Sequence, residues 1–164
     1  MDWNSYFMTL CYVIAMRSKD ESTKIGACIV DDKKNIISTG YNSFARGIDD
    51  TVKERQVRPE KYFWMSHSEF NAVCNAARLG IKLDGAIMYT NGIPCINCAL
   101  AIVQAGIKQV ITHKLWNDLA PIMWQEHAER TKVLFEEAEV TLTEWEGHIQ
   151  TEIYGWNRNE KIQL

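Results

Sequence analysis

Residues 86–112, AIMYTNGIPCINCALAIVQAGIKQVIT, decide the fold. The first five residues form a short apolar run that reads as a strand, and 109–112 read as another. Between them Pro94 is suited to open a helix. Its φ is preset for a first turn, and it lacks an N–H that a first turn would leave unpaired anyway. The helix runs through Ile102 and Val103 to Gly106. A strand–helix–strand unit of this kind predicts parallel pairing through a right-handed crossover.

Working outward, a helix over 122–137 and a strand over 140–143 predict a second crossover of the same hand. Upstream, Phe70, Val73, Cys74 and Ala77 share one helical face, and Gly80 is the expected stop. Residues 24–30 and 36–40 read as strands joined by the polar turn Asp31-Asp32-Lys33-Lys34-Asn35, an antiparallel hairpin. Phe7, Leu10, Cys11 and Ile14 give the first segment a helical period. The expectation is an α/β fold, a three-layer α/β/α sandwich around a mixed five-stranded sheet, in one domain over 1–164. Residues 41–61 are polar and carry Arg46, Lys53, Arg55 and Arg58; a loop of that length is functional or disordered. The tail from 146 onward receives no assignment.

The composition excludes several classes. Hydrophobic residues make up 46% of the chain and charged ones 24%, as in an ordinary globular protein. No apolar run is long enough to span a bilayer, so no membrane role is expected. Met1-Asp2-Trp3-Asn4 lacks the basic segment and apolar stretch of a secretory signal, which predicts a cytoplasmic protein. The net charge of -3 disfavours a long nucleic acid as partner, because phosphate neutralisation supplies much of such affinity. A single nucleotide needs only a few local cations. Five cysteines at scattered spacing argue against a disulfide framework. Cys11 and Cys74 on helix faces and Cys28 in a strand read as packed core thiols.

Cys95 and Cys98 need a separate explanation. Three apart on a first helical turn, they share a face, and the partial positive charge of a helix N-terminus favours their thiolates. His67-Ser68-Glu69 opens another helix. One imidazole and two thiolates leave one tetrahedral zinc position open, as catalytic sites require, and water there has a pKa of about 7. Glu69 is then the acid–base group. The order His-x-Glu followed by Pro-Cys-x-x-Cys is the stated signature of nucleobase deaminases. Taken alone, Cys95 and Cys98 also fit a redox pair, and a structural zinc site would need a fourth ligand, for which His113 is the nearest candidate. His127 and His148 read as surface residues.

At these residues the chain resembles the cytidine deaminase superfamily, and within it the deoxycytidylate deaminases. The narrower likeness rests on Arg17-Ser18-Lys19-Asp20, Ser22-Thr23-Lys24, Ile25 to Val30, Gly40-Tyr41-Asn42, Arg46-Gly47, Asp49-Asp50 and Gln104-Ala105-Gly106-Ile107-Lys108. The resemblance implies hydrolysis of dCMP to dUMP and ammonia, feeding thymidylate synthesis, with zinc on His67, Cys95 and Cys98 and with Glu69 shuttling protons. It implies that Asn42 hydrogen-bonds the sugar. It further implies a homo-oligomer, a hexamer, activated by dCTP and inhibited by dTTP, with Mg2+ accompanying the triphosphate and Lys19, Asp20 and Gly47 near that regulatory site. Lys24 with Ser22 is placed to meet a phosphate, or else belongs to a solvated loop. Trp116 is the candidate aromatic beside the substrate, or else a core or interface tryptophan. Ser68 and Asn91-Gly92-Ile93 depart from the usual pattern, which leaves tolerance of a ring substituent open. Two rival functions share the zinc core: a deaminase of single-stranded DNA or transfer RNA, and a non-catalytic zinc-stabilised module that has no need of Glu69.

Overall fold

The computed structural model describes residues 1–152 in full, together with the backbone of Tyr154–Asn157 and Glu160–Gln163. Helix α1 (Trp3–Ala15) is capped by Asp2, whose side chain accepts the Ser5 N–H. Strands β1 (Gly26–Val30) and β2 (Ile36–Tyr41) form the expected hairpin. Then come α3 (Ser68–Leu79), β5 (Ile87–Thr90), α4 (Ile96–Gln104), β6 (Gln109–His113), α6 (Ile122–Glu137) and β7 (Thr141–Trp145). The sheet order is β2-β1-β5-β6-β7. β1 runs antiparallel to both neighbours, whereas β5, β6 and β7 are parallel. Both crossovers read from the sequence are therefore present in a mixed five-stranded sheet.

The pleat of β1 sorts the core into two layers. Ala27 and Ile29 face Ala72 and Ala76 of α3, Ala99 and Ile102 of α4, and Phe135 of α6. Cys28 and Val30 point the other way, against Phe7, Met8 and Cys11 of α1. All five β1 residues are buried, as a strand covered on both faces requires. Each large side chain so enclosed contributes about 1.5–3 kcal/mol by the transfer scale.

Gly40 fixes how closely α3 can lie on β2. A Cβ built there would stand 2.2 Å from the Ser68 carbonyl oxygen and 2.4 Å from the Ala72 nitrogen. Only a residue without a side chain lets the first turn of α3 settle at that depth.

One expected helix face is corrected. α3 buries Ser68, Glu69, Ala72 and Ala76, while Phe70, Cys74 and Ala77 are exposed and Val73 is half-buried. The packed stripe is rotated because close approach selects small residues over large apolar ones. Cys74 is accordingly a surface thiol, not a core one, whereas Cys11 and Cys28 are buried as expected. Gly80 ends the helix as read, with φ 68°.

The polar stretch after β2 is not structureless. β3 (Ser43–Phe44) pairs with β4 (Met65–Ser66), a 3-10 turn spans Lys53–Gln56, and α2 (Lys61–Trp64) leads into β4. A short α5 (Lys114–Asp118) follows β6. In the tail, β8 (Tyr154–Asn157) and β9 (Glu160–Gln163) form a hairpin, and the Gln150 N–H bonds to Thr9 Oγ1. No helix among the described residues is long and apolar enough to cross a membrane.

Candidate active site

Two helix tips converge. His67 is the N-cap of α3 and Cys95 the N-cap of α4, with Cys98 in the following turn. Both caps are extended, so the side chains turn inward where β5 ends. Cys95 Sγ lies 3.3 Å and Cys98 Sγ 3.5 Å from His67 Nδ1. The three ligand atoms fall within 4.8 Å of one another. Tetrahedral zinc with ordinary Zn–S and Zn–N bonds needs an S···N separation of about 3.5 Å, so the donor set and spacing fit that ion. Among the described residues no fourth His, Cys, Asp or Glu joins the group.

The electrostatics match such a site. The hydrogen bond from Cys98 lowers the Cys95 thiol to about 4, against burial and with help from His67. The same bond, reinforced by burial, holds Cys98 above its ordinary value. A cation held by both sulfurs would favour the thiolate form of each. The Cys95 contact also raises His67, although burial opposes it.

Glu69 sits in the first turn of α3, only 6% exposed and outside the ligand group. Burial raises its pKa, and His67 and the Ser68 hydroxyl pull the other way. Ser68, fully buried, donates to Glu69 Oε2 at 2.8 Å. The residue that departs from the usual pattern therefore touches the Glu69 carboxyl directly.

A cleft of about 1070 Å³ opens over these residues. Ser22, Lys24, Asn42 and Trp116 all line it, so every substrate-contact candidate reaches one cavity. Lys24 is exposed, with Nζ also donating to the Ser18 carbonyl. Trp116 lies across Gly92, where a Cβ would stand 2.7 Å from the indole, and meets Tyr12 edge-on. Asn117 pins the same loop by accepting the Ile93 N–H at 2.9 Å. Of the three regulatory candidates, Asp20 lines the cleft and is 1% exposed. Lys19 pairs with Asp50 at 2.6 Å, and Gly47 is exposed with φ 82°.

Sequence reasoning missed two residues. Lys61, buried in the cleft wall, pairs with Asp20 at 2.6 Å and donates to Ser22 Oγ at 2.6 Å. Nothing in a polar loop marks one lysine as buried, so no sequence signal was available. Trp124 stands edge-on to His67 at 5.8 Å between ring centroids and also contacts His127, which is half-buried and not the surface residue expected. An aromatic near the site was sought at Trp116; the cleft holds both. His113 is buried beside Tyr12, its Nδ1 2.7 Å from the hydroxyl, and is not a metal-group member.

A family model for the cytidine and deoxycytidylate deaminase zinc-binding region matches residues 1–114. The chain is 39% identical over 116 residues to the human deoxycytidylate deaminase and 40% identical to that of the mouse. Each alignment covers 68% of this chain but 64% of the relative, so under two thirds of the mammalian proteins' length is spanned. The crystal structure of a dCMP deaminase from the cyanophage S-TIM5, in complex with dCMP and dUMP, superposes with TM-score 0.68 at 20% identity, covering 85% of this chain and 94% of that one. At that identity the likeness is one of fold.

Proposed function

The chain belongs to the cytidine and deoxycytidylate deaminase family, and from that membership we propose that it hydrolyses dCMP to dUMP and ammonia, supplying dUMP for thymidylate synthesis. One observation carries the reading: His67, Cys95 and Cys98 converge within metal-binding distance beside a buried carboxylate, in a cleft large enough for a nucleotide. A zinc ion held by the three groups supplies a Lewis acid and water of pKa about 7.

The chain's own residues do the rest. Glu69, its pKa raised by burial, moves two protons in turn: it takes one from the attacking water and delivers it to the cytosine ring nitrogen, then takes the second from the hydroxyl so left on the ring carbon and delivers it to the departing amine. Ser68 holds one carboxylate oxygen, which leaves the other free to swing between donor and acceptor. Trp124 braces the His67 ring, and Trp116 over Gly92 forms the floor on which the base rests. Lys24 and Ser22 face the 5′-phosphate, with Arg58 of the same cleft contributing charge. A net charge of -3 supports a free nucleotide over a polynucleotide.

Glu69→Gln tests the proposal. The variant should retain one zinc per chain by metal analysis and lose at least about 10²–10⁴ in dCMP turnover, followed by ultraviolet absorbance. Wild-type protein loaded with zinc and inert toward dCMP would end the reading.

A further inference from the structure

The walls of the cleft are not held equally. Lys61 anchors α2 from inside through its buried pair with Asp20. A second wall is the start of α6, which lines the cleft with Trp124, Gln125 and Ala128, yet no residue of α6 before Thr131 is buried. From Thr131 onward the helix is fixed: the threonine hydroxyl donates to the Pro94 carbonyl at 2.8 Å, and Phe135 lies in the core. The outer turns lack packing of that kind, with Ile122 and Met123 exposed and Leu119 exposed just ahead of them. Among the described residues a single hydrogen bond joins residues 114–130 to residues 53–66. The Tyr62 hydroxyl donates it to Met123 Sδ at 3.8 Å. Arg58 sets its direction. Its Nε donates to the same hydroxyl at 2.9 Å, and because a guanidinium accepts nothing, the Tyr62 hydrogen is left for the sulfur.

We propose that the outer turns of α6 form a lid on the cleft, latched to α2 by the Tyr62–Met123 contact, and that a nucleotide enters and leaves as this latch opens. The inference rests on the nucleotide reading above. Both latch residues are exposed, so water replaces the contact readily, and a thioether sulfur is a weak acceptor. A bond of that strength slows passage without sealing the cleft. Trp124, one residue beyond Met123, stands edge-on to His67, so the latched lid covers the metal-binding group and keeps bulk water from the reacting atoms. The Tyr62 hydrogen is spent on sulfur and Met123 does not line the cleft, so the latch bond itself holds no ligand. Loosening it raises the rates of entry and exit by the same factor and leaves affinity unchanged. A residue that gripped the nucleotide would alter affinity instead.

The test removes each end of the latch while keeping its bulk. Tyr62→Phe retains the ring and loses the donor; Met123→Leu retains the volume and loses the acceptor. Both are made singly and together in the zinc-loaded Glu69→Gln protein, which holds dCMP without turning it over. Stopped-flow tryptophan fluorescence gives the association and dissociation rate constants, since Trp116 and Trp124 line the cleft. Each single variant should raise both constants about threefold, the scale of one weak hydrogen bond, with Kd within about twofold of the parent. The double variant should be no faster than either single one, because both remove the same contact. Rate constants in both single variants equal to those of the parent overturn the inference and leave the deaminase reading intact. So does a changed Kd at an unchanged association rate, which would make Tyr62 or Met123 a ligand contact and not a latch. Paired acceleration without wild-type turnover refutes the deaminase reading alone, and absence of dCMP binding refutes both.

Discussion

The Asp20–Lys61 pair should respond unequally to loss of its two partners. Their side chains are 2% and 7% exposed, so neither charge is rescued by bulk water. Asp20 also accepts from the Ser22 N–H at 2.8 Å, the Ser22 hydroxyl at 3.1 Å, the Thr23 N–H at 3.0 Å and Asn42 Nδ2 at 3.0 Å. Among the described residues the Lys61 ammonium has, beyond Asp20, only the Ser22 hydroxyl. Lys61→Met fills the space of the stem and leaves an anion with four donors, a loss of about 1–2 kcal/mol. Asp20→Asn leaves a buried ammonium with one good acceptor, and breaking a buried pair that way costs about 3–5 kcal/mol. At about 2–4 °C per kcal/mol for a chain of this size, Asp20→Asn should lower the melting temperature by about 10 °C and Lys61→Met by roughly half as much. The pH dependence has a definite sign. Burial pushes the Asp20 carboxyl up, but hydrogen bonds from Lys61, Ser22 and Thr23 outweigh it and hold the group below its ordinary value. Its contribution is therefore complete above the unfolded carboxylate pKa of about 4 and is lost as pH falls through the depressed native value. Urea titrations in excess zinc at several pH values read both effects. Equal losses below about 1 kcal/mol in the two variants, or a wild-type advantage over Lys61→Met that persists unchanged in acid, would refute the argument from burial.

Two further perturbations act on α3. Gly40→Ala places a methyl against the Ser68 carbonyl, and overpacking of that kind costs about 1–3 kcal/mol. Because the displaced turn carries His67 and Glu69, zinc affinity by competition with a chelator should weaken together with the melting temperature; a stable variant with unchanged zinc affinity would count against a tight β2–α3 contact. Ser68→Ala removes a hydrogen bond that lowers the Glu69 pKa. The acid limb of kcat against pH should move to higher pH, with zinc content unchanged, and an unmoved limb would show that the serine is only a filler.

The first hairpin and the two crossovers were legible because they depend on periodicity and punctuation, which are local, whereas the antiparallel pairing of β1 with β5 that joins them was not read. Pro94 and Gly106 bracket α4, and a helix between two apolar runs favours their parallel pairing through a crossover. The metal group was legible for a related reason. Cys95 and Cys98 are three apart on one turn, His67 opens another helix, and the chemistry of two thiolates and an imidazole leaves few alternatives. The buried face of α3 was not legible. A helical period identifies a face by its large apolar residues, but here the sheet approaches until only Ala72, Ala76 and a glycine fit, and Phe70 is left outside. Nor was Lys61, whose burial depends on Asp20, 41 residues earlier, turning its carboxylate inward.

Those failures share a cause with the fixed orientation of Asn42. The directionality of Asn42 is set by three groups that converge on its amide: one carboxylate, one carbonyl and one N–H, from Asp20, Thr23 and Ile25. Read as letters, Asn42 offers two donors and an acceptor and could serve any sugar contact. Read in place, it has spent the donors, and what remains is an acceptor alone. Residue type therefore gives the repertoire of a polar side chain, while its neighbours decide which part of that repertoire faces the ligand.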